Sequence, residues 1–450
     1  MIKINTLEAL KFGLVDAGAK IFTNFPGYKS HDLFSMLDGN ITSTNEKIAY
    51  ETAWGASLSG KRSAVMFKNV GLNDAADPFL NSMIVGVNAG LVVLVFDDMF
   101  VEGSQSRQDS RNYFDFYQGL WFEPYSIQNA YDILYKSFLL SEKFKLPVVI
   151  RITSQLFYEI GLVKRLKKQN VKFKFIKDQK RFVIHPVHSE FQRRQLEIKN
   201  LNIKKYVNSL YKIDSNNLKN KLLIFGCNIE EIKKCDDSYQ RIQFFTYPLP
   251  ETINELLDKK YNIQVLEQGV EFAGEKIKAL TNNNISVNTG IVPDKSAGYI
   301  ITSNYEKLFI SLAKAKTVII GDLGEYSKDN LNSVDAVLSF GSAIAVSMGC
   351  MLGGLKKVVS ITGDGAYLHS GKNSIQEALD RKLLIKNIII CNGGSQGTGG
   401  QKIPGDLYYQ PKGIKTLKIS YKKTNRFKFD KIIYQFVNLR CPAVLYVEMK

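Results

Sequence analysis

Val358-Val359-Ser360-Ile361-Thr362-Gly363-Asp364-Gly365, followed after a helix-length interval by Asn387-Ile388-Ile389-Ile390-Cys391-Asn392-Gly393-Gly394, decides the fold of this 450-residue chain. Each apolar run reads as a strand buried on both faces, and the interval between them as a helix. The order strand, turn, helix, strand is that of a parallel α/β sheet. It predicts Asp364 and Asn392 at the carboxyl ends of two strands, where such sheets collect their ligands. A carboxylate and an amide oxygen converging there suit Mg²⁺, a hard cation that takes oxygen ligands. The turn at Gly365 lets backbone N–H groups approach a diphosphate, and the following helix offers its N-terminus to the same anion. A lone Gly-Asp-Gly is usually only a tight turn. The second oxygen ligand on the next strand and the glycine-rich Gly397-Thr398-Gly399-Gly400-Gln401 downstream make the combination specific.

Working outward, the length suits two or three domains, and a 45% hydrophobic content supports substantial cores. The net charge of +17 is spread among acidic residues, densest from Lys164 to Arg181. No nucleic-acid module accompanies it, so it reads as a solvated basic surface. The five cysteines, an odd number widely spaced in a long chain, read as reduced thiols. Met1 leads into the amphipathic stretch Thr6 to Ala17 rather than a signal peptide, and the longest apolar run, Ala89 to Phe96, is too short to span a bilayer. These features predict a soluble, cytoplasmic protein with neither a membrane nor a nucleic acid as partner.

The predicted fold class is α/β, with two large parallel-sheet domains and a smaller α/β domain between them. The first block, residues 1–165, has strands at Ser63–Lys68, Leu91–Phe96 and Val148–Thr153, and helices at Glu46–Ser59 and Ile127–Ser141. Residues 166–215 read as a basic linker with a partly structured extension. Residues 216–299 hold Leu222–Gly226 and Ile263–Glu267 as strands, with Tyr247-Pro248-Leu249-Pro250 as a stiff connector. The last block, 300–450, has strands at Thr317–Ile320, Val358–Ile361 and Ile388–Cys391.

Asn45-Glu46, at the head of a helix running to Gly55-Ala56-Ser57 and Gly60, reads by itself as an ordinary helix start. Together with the Gly-Asp-Gly motif it resembles the pattern of thiamine diphosphate (ThDP) enzymes, in which a glutamate opens such a helix nine residues before the glycine. The resemblance implies that Glu46 is the catalytic acid, hydrogen-bonded to the aminopyrimidine so that this ring can accept the cofactor's own C2 proton. Burial raises a carboxyl pKa, which suits a shared proton. Glu51, five residues on, is the competitor.

The whole chain is similar to the catalytic subunits of indolepyruvate ferredoxin oxidoreductases. Shared stretches include Phe25-Pro26-Gly27-Tyr28, Asn69-Val70-Gly71-Leu72-Asn73, Gln108-Asp109-Ser110-Arg111, Tyr247-Pro248-Leu249-Pro250-Glu251, Gly321-Asp322-Leu323-Gly324 and His369-Ser370-Gly371. The resemblance implies a pyrimidine-binding first domain, a middle domain and a diphosphate-binding last domain. It also implies Mg²⁺ on Asp364, Asn392 and the Gly394 carbonyl, with Gly363, Gly365, Ala366, Gly341, Thr398 and Gly399 against the cofactor. Phe340 would wedge under the bent cofactor or be a plain core aromatic. His369 would be catalytic or structural. Tyr28, Lys29, His31, Arg111 and Gln401 would meet the substrate, although an ion pair is the ordinary role of an arginine such as Arg111.

The departure is at the C-terminus. These subunits continue into a ferredoxin-like domain with clustered cysteines, whereas no C-x₂-C-x₂-C-x₃-C run stands in this sequence. Gly394-Ser395-Gln396-Gly397-Thr398-Gly399-Gly400-Gln401 is also similar to the loop of phosphonopyruvate and sulfopyruvate decarboxylases. The expected activity is therefore ThDP- and Mg²⁺-dependent decarboxylation of a 2-oxo acid, such as an arylpyruvate, without oxidation and with no iron–sulfur cluster in this chain. An oxidoreductase subunit working with a second subunit or a ferredoxin is the alternative, and a silent interaction protein is a further one. A homodimer with active sites at the subunit interface is expected.

Overall fold

The computed structural model describes residues 1–38, 42–98, 108–211, 219–226, 238–258, 261–267, 271–281, 305–324, 333–394, 405–408 and 410–449. Seventeen strands are named among them: β1 (Ile2–Asn5), β2 (Ile21–Asn24), β3 (Ser63–Lys68), β4 (Leu91–Asp97), β5 (Trp121–Phe122), β6 (Val148–Thr153), β7 (Ile160–Val163), β8 (Asn220–Phe225), β9 (Gln240–Phe244), β10 (Thr246–Tyr247), β11 (Asn262–Leu266), β12 (Val318–Gly321), β13 (Ala336–Val337), β14 (Val358–Gly363), β15 (Lys386–Cys391), β16 (Lys415–Ser420) and β17 (Ala443–Glu448). They form two six-stranded sheets, ordered β10-β5-β6-β4-β3-β2 and β13-β12-β14-β15-β17-β16, a three-stranded sheet β11-β8-β9, and the antiparallel pair β1-β7. Both large sheets are parallel apart from the β10–β5 edge.

The unbroken apolar runs explain the parallel sheets. Every residue of β4 is buried, as are Val358–Thr362 of β14 and Lys386–Ile390 of β15, because helices cover both faces. Lys386 and Asn387 are the polar exceptions within β15; the Lys386 ammonium donates to the carbonyls of Leu384 and Cys441, and Asn387 Nδ2 donates to Thr362 Oγ1.

Helix Glu46–Leu58 is buried at every position after Glu46, so it lacks the one-sided pattern of a surface helix. It lies between the two large sheets against helix Ala343–Leu352, and the two backbones touch. A β-carbon at Gly55 would lie 2.1 Å from the Val346 carbonyl oxygen, and one at Gly349 would lie 1.9 Å from that of Thr52. Only glycine at both positions permits this approach.

Two stretches differ from the sequence reading. Residues 166–215 contain the 25-residue helix Pro186–Leu210, started by the His185 side chain accepting from Val187 N–H and by Pro186 in its first turn. Its apolar residues are sparse, which is why the charge-rich sequence masks it. The linker also reaches the last block, where Val183 bridges Val337. The Tyr247-Pro248-Leu249-Pro250 stretch begins with a strand: β10 pairs antiparallel with β5, and the Tyr247 ring stacks on Trp121 at 3.7 Å between centroids. No described helix is long and apolar enough to cross a membrane.

Candidate cofactor and catalytic site

β14 and β15 are neighbours in register, Gly363 beside Ile390, so Asp364 and Asn392 leave the sheet side by side. Backbone N–H groups fix Asp364. Its Oδ1 accepts from Gly365 at 2.8 Å, and its Oδ2 accepts from Gly393 and Gly394 at 2.9 Å each. Asn392 donates its Nδ2 to the Tyr305 hydroxyl at 3.4 Å. That leaves its amide oxygen 3.2 Å from Asp364 Oδ1 and 2.9 Å from the Gly394 carbonyl oxygen. The amide oxygen as placed thus faces two acceptors, and turning the amide round lets its nitrogen donate to both. With a cation bound, the amide oxygen would instead stand beside them as a third ligand. An octahedron with Mg–O bonds of about 2.1 Å has edges of about 3.0 Å, which matches the spacing found. The donor set has one carboxylate and two neutral oxygens, and among the described residues no group of three or more His, Cys, Asp or Glu side chains is placed to hold a metal.

Gly365 and Ala366 follow Asp364 into a short helical turn that continues as the π-turn Tyr367–Gly371 and then as helix Lys372–Asp380. The π-turn sets His369 outward, 5.2 Å from the Phe340 ring in an edge-on contact. Phe340 is half-buried rather than a sealed core residue, and His369 is solvent-facing. Partial desolvation, then the nearby Lys47 ammonium, lowers the His369 pKa. Gly341 lies beneath them, its carbonyl accepting from Ser370 Oγ at 3.2 Å.

Helix Glu46–Leu58 brings the other half. Asn45 caps it, accepting from Ile48 N–H at 2.8 Å. Glu46 is half-buried beside Gly71, where a β-carbon would lie 2.6 Å from its Oε1, and desolvation raises its pKa, with Asp74 adding to the effect. Glu51 is fully buried. Its Oε1 receives Lys47 Nζ at 3.1 Å and Ser339 Oγ at 3.0 Å, while its Oε2 has no partner. The geometry thus separates the two acids: Glu46 keeps an open side at the helix start, and Glu51 is sealed into the contact between blocks.

Sequence reasoning missed the ties that join the halves. Lys47 Nζ donates to Asp77 at 2.9 Å and to Ser339 Oγ at 3.3 Å, one residue before Phe340. Glu377 Oε2 accepts from Thr44 N–H at 2.9 Å, and its other oxygen pairs with Arg381. Asp322 accepts from Ala343 N–H at 2.8 Å, starting the helix that packs on the Glu46 helix; burial pushes its pKa up to about 8. Asp322 stands in the Gly321-Asp322-Leu323-Gly324 motif, but nothing in the sequence says what its carboxyl faces. These contacts tie the first block to the last one beside the Glu46 helix.

Of the expected substrate residues, Tyr28 opens helix Tyr28–Ser35 with φ of +42°, its hydroxyl buried and without a partner; burial raises its pKa to about 12. Lys29 pairs with Asp32 at 2.7 Å, and His31 is exposed. Arg111 requires a correction. It is completely buried, with Nε and Nη2 on Asp109 and Nη1 on Glu267 at 2.9 Å, so its fork is committed within the protein. It joins the first block to the middle one because two buried carboxylates there need a bidentate counter-charge. Thr398, Gly399 and Gln401 lie outside the described residues. A cavity of 510 Å³ opens elsewhere, beside Phe114, Trp121, Leu201 and Pro248, and none of the candidate residues lines it.

The two doubly covered parallel sheets, with ligand-collecting turns at their carboxyl ends, have the fold of ThDP enzymes. Residues 325–438 match the family "Thiamine pyrophosphate enzyme, C-terminal TPP binding domain". Among solved structures, the Rhodococcus jostii RHA1 thiamine diphosphate-dependent 4-hydroxybenzoylformate decarboxylase superposes with a TM-score of 0.57 over 99% of both chains at 14% identity. A putative thiamin diphosphate-dependent enzyme from Mycobacterium smegmatis gives 0.53, again over 99% of both chains, at 13% identity. The chain is an enzyme, similar along its length to this ThDP-dependent class. It is homologous to the indolepyruvate oxidoreductase subunit IorA: 25% identical to that of Methanothermobacter thermautotrophicus over 88% of this chain and 76% of the relative. The Thermococcus kodakarensis IorA is 38% identical over 40% of this chain and 30% of its own.

Proposed function

We propose that the protein binds ThDP and Mg²⁺ and removes CO₂ from a 2-oxo acid, an arylpyruvate being the first candidate, to release an aldehyde or join the product to a second carbonyl. The observation that carries this reading is the placing of the Asn392 amide head 3.2 Å from Asp364 Oδ1 and 2.9 Å from the Gly394 carbonyl oxygen, at the ends of two adjacent parallel strands. When bound, ThDP supplies a carbon nucleophile and an electron sink for the bond to CO₂.

The chain's own residues do the rest. Asp364, Asn392 and Gly394 hold the metal, and Gly363, Gly365, Ala366 and Gly341 let backbone approach the cofactor. Glu46, its pKa raised by burial, shares a proton with a ring nitrogen. His369, its pKa lowered, stays neutral near pH 7, able to accept a proton at one ring nitrogen and donate at the other. Tyr28 and Lys29, in the first turn of helix Tyr28–Ser35, are proposed to meet the substrate.

The second reading is an oxidoreductase subunit that passes electrons to a partner, favoured by the name its sequence relatives carry. Both readings use the same site and diverge only after CO₂ has been lost. A pair of chains, checked by light scattering, remains part of the proposal. Calorimetric titration with ThDP and Mg²⁺ tests the shared core: binding is expected for the wild type and not for Asp364→Ala, and equal binding by both would overturn it. Anaerobic incubation with a panel of 2-oxo acids then separates the outcomes. Aldehyde formed without an acceptor supports the first reading, whereas turnover only with a dye or ferredoxin supports the second.

A further inference from the structure

Where the linker crosses the first block, two of its cations lie beside a third with no carboxylate within ion-pair distance. Arg181 lies in the linker, Lys199 on helix Pro186–Leu210, and Lys145 at the end of helix Ile127–Phe144; all three are partly buried. Arg181 Nη2 donates to the Val87 carbonyl, and its guanidinium lies 4.4 Å over the Phe182 ring. Lys199 Nζ donates to the Lys145 carbonyl at 3.4 Å. A β-carbon at Gly86 would lie 3.3 Å from Lys199 Nζ and 3.6 Å from Arg181 Nη2, so the two nitrogens are at most about 7 Å apart. None of the three cations forms a salt bridge among the described residues; Asp178 acts on Arg181 and Glu142 on Lys145 only from beyond ion-pair distance. The nearby acids are engaged: Asp178 Oδ1 accepts from Arg181 N–H at 3.1 Å, and Glu142 holds Arg62 through both oxygens at 2.6 Å.

Buried charge is rare without a counter-charge, because its lost hydration goes uncompensated. Burial, with Arg181 and Lys145 adding repulsion, brings the Lys199 pKa down to about 8, and burial brings that of Arg181 down to about 10. A turn further along the same two segments a cavity of 390 Å³ opens, lined by Lys143, Phe144, Asn202, Lys205, Tyr206 and Ser209, with no acidic side chain.

We propose that Arg181, Lys199 and Lys145 form a binding site for a phosphate-type oxyanion, held where the linker meets the first block. Guanidinium and ammonium donors suit such an anion. It would fasten helix Pro186–Leu210 to the first block, far along the chain from the Asp364 turn.

The test is calorimetric titration of the full chain at constant ionic strength, with saturating ThDP and Mg²⁺ present so that the diphosphate-binding turn is filled. Inorganic phosphate and AMP are the two probes. One saturable site per chain is expected, weakened about tenfold or more by Lys199→Met and by Arg181→Met, the scale of losing one charge-assisted contact. In phosphate-free buffer Lys199→Met should melt at a higher temperature than the wild type, since it removes an uncompensated cation. Phosphate binding tighter than AMP points to the free ion, and the reverse to a phosphoryl group carried by a larger molecule. No saturable binding of either probe, or binding unchanged by both substitutions, overturns the proposal.

Discussion

Gly349→Ala is a one-methyl change remote from every proposed ligand, yet it should cripple the enzyme. Its β-carbon would stand 1.9 Å from the Thr52 carbonyl oxygen, 2.7 Å from Ala56 N and 2.8 Å from Thr52 C. All three are backbone atoms of a helix buried on nearly every side, so no side chain can swing away. Restoring ordinary contact moves the two helices apart by about 1.5 Å. Overpacking of this kind typically costs about 1–3 kcal/mol. The functional cost is larger, because the Glu46 helix is fixed to the Phe340–His369 side of the site by Lys47, Ser339 and this helix contact. A misplacement of about 1 Å in a catalytic geometry costs about a hundredfold in rate. Steady-state kinetics at saturating ThDP should therefore show kcat lower by about two orders of magnitude in a protein that still folds, as judged by circular dichroism. Wild-type kcat with an unchanged melting temperature would refute the reasoning, for it would mean that the two helices do not meet within one chain.

Glu46→Gln should keep ThDP bound, as read by calorimetry, while slowing C2 proton exchange by about a hundredfold, the common scale of acid–base assistance; full activity would shift the role to another acid. Asp322 is held protonated by burial, with its pKa raised to about 8. Its contribution to stability is full below the ordinary carboxyl range and is lost as pH rises through about 8, since above the unfolded pKa the native state binds the extra proton. Denaturant midpoints measured from pH 5 to 9 should fall with pH in the wild type, and less so in Asp322→Asn. Arg111→Met should destabilise the protein by about 3 kcal/mol, because Glu267 loses its buried arginine and Asp109 is left with Arg151 alone, at 3.5 Å. Whatever folds should show an unchanged KM for the 2-oxo acid; a raised KM with intact stability would restore Arg111 to the substrate.

The fold class and the Asp364–Asn392 pair were legible because both rest on local rules. Apolar runs bounded by glycine turns mark strands, and a strand end fixes where the next side chain goes. Gly55 and Gly349 were visible as residues, but their reason is a meeting of segments almost 300 positions apart, and no periodicity within either helix announces it. Arg111 was misread for the same cause. Its matching motif was clear, while its partner Glu267 lies in a different block. The helix Pro186–Leu210 hid behind its charge, since a helix with few apolar positions leaves only its capping residues as a signal. The proposed metal site lay between these cases: the residue types were readable in order, and the close approach of the Asn392 amide to Asp364 and Gly394 was not.

The edge strand β10 bears on how this molecule can be taken apart. It is contributed by a segment some ninety residues beyond the last strand of the sheet it completes, and its Tyr247 roofs Trp121. A fragment ending near residue 165 would keep the first block's sequence but leave Trp121 bare and one sheet edge unsatisfied, a recipe for sticking to its own copies. The linker compounds this by bridging to Val337 on its way out. The blocks are thus separable on paper and interlaced in space. Shuffling one of them into a chimera, or expressing one alone, would require carrying its borrowed strand along.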